Sequence, residues 1–357
     1  LLPLLSACSS KKFLQTDEYL LSEVSIVSTN PNFKPTGYRN YVRQQPNSKW
    51  FSWLKVPLGV YCLSKADSVK GNKGFSRILR NIGEAPVVYD PQLTRYSTYN
   101  LQQALASNGY LRGTVDTLVT RKGHKATVQY RLTPGMRYYV RSLQYSFDNA
   151  NIARLVTADS TAYLLRRGMP LNLGKLSEER SRIVHTLRNR GYYYLNNDFI
   201  TYDIDTIAGD LGVAVRLRFA LPPGADSLRA YVPQRYGRVR IIEERETGET
   251  EATDSTHYRG WDFHYHGTEH IRKRVFINHV SLEPDSLYHE TKVQNTYGTL
   301  NALPIINYTS VKLTPVKDST DLLDCDIRVK RNQLHTLGMD LEGTNTAGDL
   351  GAAVALT

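Results

Sequence analysis

The histidines of one short segment are, by type and spacing, the residues best suited to chemistry. FHYHGTEH sets His264, His266 and His270 in an H-x-H-x3-H pattern, with His257 and His279 nearby, and imidazole nitrogens are common zinc ligands. The stretch from Thr247 to Glu269 is rich in Thr, Glu and Gly, has no cysteine, and offers no carboxylate at the spacing of a zinc enzyme's general base. It reads as a polar loop or solvated strand that binds no metal. The paired carboxylates Glu178 and Glu179 fall in a helical charge pattern and read as a solvated face. G-x-S-x-G, Walker and dinucleotide patterns are absent from the sequence. The reading is of a chain that is not an enzyme and uses no cofactor.

The thiol of Cys8 suits a different reaction. LLPLLSACSS opens with an apolar run, Leu1 to Leu5, followed by the small residues Ser6 and Ala7, the pattern of a signal peptide ahead of its cleavage site. Leu5-Ser6-Ala7-Cys8 resembles the lipobox of bacterial lipoproteins, in which the cysteine takes a diacylglyceryl group. Lipidation at Cys8 is the expectation, with an ordinary cleaved signal that happens to contain a cysteine as the alternative. One acyl chain holds a protein only marginally, whereas several make a firm anchor. Cys62 and Cys325 lie far apart in sequence and read as isolated buried thiols.

The elements around these residues repeat. TLRNRGYYYLNNDFITYDI passes from helix periodicity (Leu176, Ile183, Val184, Leu187) through a glycine stop at Gly191 to an alternating strand with Ile200, Tyr202 and Ile204 on one face. Glu178, Glu179, Arg182 and Arg188 fall between the apolar positions and are expected to face solvent. An earlier copy has Leu93, Leu101 and Leu105, then Gly109, with Asp90-Pro91 as N-cap and first turn. A third, VQNTYGTLNALPIINYTSVKL, puts Pro304 in place of the glycine. A second alternating strand follows each stop: Val128, Tyr130 and Leu132 in the first copy, Val213 to Leu221 in the middle one, and DCDIRVKRNQ in the third. A strand and a short helix precede the middle copy, with Tyr139, Arg141, Leu143, Tyr145 and Phe147 alternating before NIARLVTA, and RVRII precedes the third. The predicted module is strand, helix, helix, strand, strand: an α+β layer with helices on one sheet face.

Composition agrees with small cores in tandem. The sequence has 357 residues with 41% hydrophobic content, enough for two to three domains of roughly 100–200 residues. No apolar run reaches the roughly 18 residues of a membrane-spanning helix. The 24 tyrosines against 9 phenylalanines suggest half-wet aromatic surfaces. The net charge of +11 is spread along all modules, so it suits a surface near phosphate head groups better than nucleic acid, for which no motif is present.

The module with its glycine stop resembles the POTRA domain of Omp85 proteins. Together with the lipobox, YLLSEVSI, RQQPNSKWF, PLGVYCLS and the ending LEGTNTAGDLGAAVALT, the sequence resembles the lipoprotein version of the TamA branch found in Bacteroidota, often called TamL. The resemblance implies a fold of tandem POTRA domains ending in the first strand of a truncated outer-membrane β-barrel. The expected boundaries are 1–18 for signal remnant, lipobox and tether; 19–135, 136–224 and 225–336 for three POTRA-like domains, the last with a polar insertion at 245–270; and 337–357 for the barrel start, where Asp340, Glu342, Thr344, Gly348, Gly351 and Ala353 fit a barrel strand. The abrupt ending and the missing initiator Met suggest a fragment of a longer chain.

The resemblance also implies that the strand after each stop is a sheet edge open to a partner strand: Arg112 to Thr120, Asp198 to Ile207, and Ile306 to Thr314. Its site residues are Val115, Leu118, Ile200, Thr201, Tyr202, Asp203, Ile204, Tyr308, Val311 and Leu313. The implied partners are unfolded outer-membrane proteins, a TamB-like inner-membrane protein and outer-membrane lipids. The implied place is the outer membrane, with the domains in the periplasm. A scaffold that docks the inner-membrane protein and handles no clients is the alternative.

Overall fold

Leu105, Leu187 and Leu300 are fully buried, and each stands four residues before a stop, at Gly109, Gly191 and Pro304. One turn earlier lie Leu101, Ile183 and Thr296, also buried. Apolar or small residues at this interval make the core-facing stripe of a helix, and three helices carry it: Pro91–Ser107, Leu173–Arg188 and Glu290–Asn301. Each packs on a sheet in which an inner strand follows the stop. The computed structural model describes residues 10–49, 55–64, 74–207, 210–244, 254–332, 339–346 and 349–356; Cys8 and Gly348 lie outside them.

The fold is α+β, in tandem modules that each open on a strand, pass through two or more helices and close on two strands. The chain divides into two compact units, Leu1–Gln144 with Leu164–Ser177 and Tyr202–Arg216, and Tyr145–Tyr163 with Glu178–Thr201 and Leu217–Thr357. The first unit holds the first module: β1 (Leu20–Ser28), α1 (Val56–Cys62), α2 (Gly74–Ile82), α3 (Pro91–Ser107), β2 (Thr114–Lys122) and β3 (Lys125–Thr133). Asp90 caps α3, its Oδ1 accepting from the backbone N–H groups of Gln92 at 2.7 Å and Leu93 at 3.3 Å, which satisfies donors a helix start otherwise leaves bare. The sheet runs β1-β3-β2, with β3 parallel to β1 and antiparallel to β2. Its core joins Leu21, Leu101, Leu105, Val128, Tyr130 and Leu132.

The middle module contributes to both units: β4 (Tyr139–Phe147), α4 (Ala150–Thr157), α5 (Leu173–Arg188), β5 (Ile200–Thr206) and β6 (Gly212–Phe219), with strand order β4-β6-β5. The second unit holds the third module: β7 (Arg235–Glu244), β8 (Asp254–Tyr258), β9 (Trp261–Tyr265), α6 (Lys273–His279), α7 (Glu290–Asn301), β10 (Ile306–Pro315) and β11 (Leu322–Arg331). Its sheet has five strands in the order β10-β11-β7-β9-β8. Strands β12 (Met339–Thr346) and β13 (Asp349–Leu356) pair as an antiparallel hairpin, and the backbones of Asp340, Glu342, Thr344, Gly351 and Ala353 lie on it. No described helix is long and apolar enough to cross a membrane.

The same backbone contacts recur in every module. Tyr89, Leu171 and Tyr288 donate their N–H to the carbonyls of Tyr19, Tyr138 and Gln234 at 2.7, 2.9 and 2.8 Å. Leu21, Val140 and Tyr236 donate theirs to Val87, Met169 and Ser286 at 2.8, 2.8 and 2.9 Å. The glycine stops add a further link: Tyr138 donates to the Gly109 carbonyl and Gln234 to the Gly191 carbonyl, each at 2.8 Å. Each stop therefore ends a helix and also receives the backbone that leads into the next module's first strand.

The structure corrects the sequence reading at three places. Glu179 is fully buried and Arg188 is mostly so; Glu179 stands three residues after Leu176 and four before Ile183, hence on the apolar stripe. In β4 the alternation from Tyr139 is out of frame. Val140 is buried and Tyr139 exposed, and the core side resumes at Leu143, three residues on, which fits the extra residue that a bulge inserts. Finally, residues 254–265 of the polar insertion, read as a loop or solvated strand, form a hairpin that joins the third sheet and buries Trp261 and Phe263.

Candidate functional site

The three strands named as candidate docking edges, β2, β5 and β10, each end the strand order of their sheet. An edge strand leaves alternate N–H and C=O groups without a ladder partner. On β2, Val115 faces the core and Leu118 the opposite side, 55% exposed. The start of this edge is already occupied: the Gln102 side chain accepts from the Val115 N–H at 3.2 Å and donates to the Gly113 carbonyl at 2.8 Å. Thr98 and Thr117 then join by their hydroxyls at 2.7 Å. The backbone beyond Thr117 is the part of β2 open to a partner.

On β5, Ile200 is buried, Thr201 exposed, and Tyr202, Asp203 and Ile204 half-buried. The Tyr202 hydroxyl donates to the Leu176 carbonyl at 2.9 Å, which fixes that strand to its helix. On β10, Val311 and Leu313 pack on the core opposite Ile327 and Cys325, while Tyr308 is 52% exposed. The outward residues of the three strands, Leu118, Thr201, Asp203 and Tyr308, share no single chemistry. What the edges have in common is backbone.

The open face of the third sheet carries a row of charges. Register places His257, Asp262, Arg240, Asp326 and Lys312 side by side on successive strands. His257 Nδ1 lies 2.8 Å from Asp262 Oδ1, and Arg240 Nε 2.6 Å from Asp326 Oδ1. The histidine segment is thus spread along a hairpin: His264 stands opposite Ser255, and His279 lies on α6 with Nδ1 2.7 Å from the Val275 carbonyl. Among the described residues, no group of three or more His, Cys, Asp or Glu could hold a metal ion. Cys62 and Cys325 are buried thiols, and burial pushes Cys325 up to about 12.

Two polar clusters lock the helices of the second unit. Arg182 forks onto Glu179 with two contacts of 2.9 Å and reaches Asp159 at 2.9 Å; the Tyr145 hydroxyl also donates to Glu179, at 3.4 Å. Arg188 ties the end of α5 to Glu290 at 2.6 Å, to the Tyr288 hydroxyl at 2.8 Å, and to the Tyr193 and Leu195 carbonyls at 2.7 and 3.1 Å. These are structural pairings of the kind that buried charge requires.

Sequence reasoning missed the β8–β9 hairpin. Its signal was present in Trp261, Phe263 and Tyr265, alternating with Asp262 and His264 behind an Arg259-Gly260 pair. Both turn residues have positive φ, 51° and 84°, as a type I′ hairpin turn requires. Arginine is a poor resident of that position, so the pair does not read as a turn.

No protein-family model and no curated protein matches the sequence. Among solved structures, the chain is similar to POTRA domains 3–5 of BamA from Haemophilus influenzae, at 13% identity over 88% of this chain and 98% of that one, with a TM-score of 0.44. It is also similar to POTRA domains 1–3 of the periplasmic domain of Omp85 from Anabaena, at 12% identity over 89% and 97% of the two chains, TM-score 0.28. For BamA from Haemophilus ducreyi lacking POTRA domains 1–3, identity is 12% over 61% of this chain and 34% of that one, TM-score 0.40. Structural neighbours of this chain include POTRA domains of BamA and Omp85.

Proposed function

We propose that this chain is the periplasmic part of an outer-membrane protein assembly or translocation lipoprotein, anchored through Cys8, and that it guides unfolded clients by strand addition. The observation that carries this reading is the recurrence of an edge strand in every module, after the same helix stop. Backbone pairing tolerates many client sequences because the ladder bonds are made by groups all residues share. The sequence resemblance to the TamL type supports the same role, and with it a TamB-like inner-membrane partner and contact with outer-membrane lipids.

The test is photo-crosslinking in cells from residues on β2, β5 and β10. Many different barrel precursors captured at these strands would support client handling. One dominant partner, with no precursors, would leave a scaffold that docks an inner-membrane protein.

A further inference from the structure

The described chain is folded from a point two residues past Cys8. Ser10–Phe13 form a helical turn, so the Cα of Cys8 stands at most about 7 Å from that of Ser10. This turn is built into the first module. Phe13 and Leu14 pack on the small core of Leu20, Leu58 and Cys62, and the Phe13 ring lies 5.2 Å from that of Tyr61 on α1. Lys12 Nζ donates to the Ser64 carbonyl at 2.8 Å, just past the end of α1, and Arg80 Nε on α2 donates to the Ser64 hydroxyl at 3.4 Å. The turn, α1 and α2 therefore make one corner, and an acyl group on Cys8 holds that corner at the surface of its membrane.

Helix α2 packs the wrong way round for a core helix. Its buried residue is Ser76, and Gly83, seven residues on and so on the same side of the helix, comes so close to α1 that a Cβ there would stand 2.5 Å from the Tyr61 nitrogen. The Glu84 N–H donates to the Pro57 carbonyl at 3.0 Å and fastens that side. Ile78 is about 200° around the helix from Ser76, and Ile82 follows Ile78 by one turn. An apolar pair at this interval ordinarily faces a core. Here Ile78 is 52% exposed and Ile82 70%, and Leu63, next to Ser64, is 49% exposed.

The charges of the corner have one sign. Residues 10–14, α1 and α2 carry Lys11, Lys12, Arg77 and Arg80 and no acidic residue. A helix with an outward apolar side flanked by basic residues lies in the plane of a membrane interface, its apolar side chains among the acyl chains and its cations at the phosphates. The anchor decides the occupant: within reach of a lipidated Cys8, the surface that meets α2 is the leaflet itself.

We propose that α2 is an interfacial membrane helix, with Ile78, Ile82 and Leu63 entering the leaflet that carries the anchor and the basic residues around them meeting anionic headgroups. The site rests on the lipidation reading of Cys8. It adds a second contact that fixes how the first module stands on the membrane, since an acyl chain alone tethers a protein without orienting it.

The probe is the purified full chain with Cys8→Ser, so that helix contact is read without the anchor, and with Asn81→Cys carrying an environment-sensitive dye; Cys62 and Cys325 are buried. Vesicles are of phosphatidylglycerol with phosphatidylethanolamine, or of phosphatidylcholine alone. Circular dichroism confirms that each variant is folded. The expected result is a blue shift of the dye on the anionic vesicles, weaker partition onto the neutral ones, and partition reduced at least about tenfold by Ile78→Ser with Ile82→Ser. Leu228→Ser, which removes a leucine 71% exposed in the second unit, should leave partition unchanged. A dye that stays in water, equal partition onto both vesicles, or equal partition of the double-serine and Leu228→Ser variants overturns the proposal. Fatty-acid labelling of the parent chain in cells reads the anchor separately. Any of those results with a labelled parent removes this site alone, whereas an unlabelled parent removes the lipobox reading and the proposal together.

Discussion

Replacing Gly109 by alanine separates two roles that a glycine stop combines. Gly109 has φ +90°, and Gly224, outside any such joint, has φ +82°, so an alanine at either position meets the left-handed penalty of roughly 1–2 kcal/mol. Around Gly224 an added Cβ meets nothing within 4 Å. At Gly109 it would stand 2.6 Å from the Leu171 carbonyl oxygen and 3.3 Å from that of Tyr138, backbone atoms that can yield only by moving the chain. That movement breaks or stretches the Tyr138-to-Gly109 bond of 2.8 Å and the Leu171-to-Tyr138 bond of 2.9 Å, each worth about 1 kcal/mol. Gly109→Ala is expected to cost about 3–4 kcal/mol and Gly224→Ala about 1–2. Amide hydrogen exchange at Tyr138 and Leu171 reads the difference where it arises, since local opening energies set protection. Protection there should fall by at least about tenfold in Gly109→Ala and stay near the parent value in Gly224→Ala. Equal loss in the two variants, or full protection in Gly109→Ala, would refute the idea that the stop is also a joint.

Other expectations are narrower. Arg188→Ala should lower the stability of the second unit by about 3–5 kcal/mol in urea unfolding, because it leaves the Glu290 carboxylate without its closest partner in a mostly buried site; a loss near zero would count against the pairing. Burial pushes the Tyr288 phenol up to about 12 from an ordinary 10.0, against the pull of Arg188. The stability this neutral phenol contributes is whole below pH about 10 and is lost as the pH rises to about 12, and Tyr288→Phe should flatten that part of an alkaline unfolding curve. Cys8→Ser should abolish labelling of the chain by a radioactive fatty acid in cells, and persistence of the label would exclude the lipobox reading. Purified chain should carry no stoichiometric zinc; zinc that is present and lost when His264, His266 and His270 are all alanine would reverse the reading of that segment.

The parts legible in the sequence are those governed by local periodicity. Leu101, Leu105, Ile183 and Leu187 sit where a helical stripe predicts, and Val128, Tyr130, Val213 and Val215 where an alternating central strand predicts. The glycine stops were readable because only glycine takes their positive φ cheaply. What was not legible depends on partners distant in sequence. Glu179 is charged and so reads as exposed, yet its position on the stripe buries it, where Arg182 and the Tyr145 hydroxyl bond its carboxylate. Strand β9 reads as polar because Asp262 and His264 face solvent, while its Trp261 and Phe263 serve a core whose other half lies on α6 and β11. Among the candidate docking residues, Val115, Ile200, Val311 and Leu313 proved to be core-facing, whereas Leu118 and Tyr308 face outward. Alternation in a strand identifies a face but does not tell whether the strand is central or at an edge.

The stop of the third module completes the logic of the other two. At Gly109 and Gly191 the carbonyl points to the backbone leading into the following module and accepts its N–H. Pro304 occupies the equivalent place, four residues after the buried Leu300, and its carbonyl instead accepts from the Asn332 side chain at 3.3 Å, while the Asn332 N–H goes to the Ile305 carbonyl at 2.8 Å. The end of this module's own last strand, β11, has taken the position that a neighbour holds elsewhere. A proline suits that role, since it has no N–H to satisfy and its fixed φ does not support the left-handed turn that the joint needs. Substituting glycine at Pro304 would restore the backbone freedom without restoring a receiving strand. The exchange of one residue type for another at the same step of the repeat therefore marks where inter-module bonding gives way to closure of the module on itself.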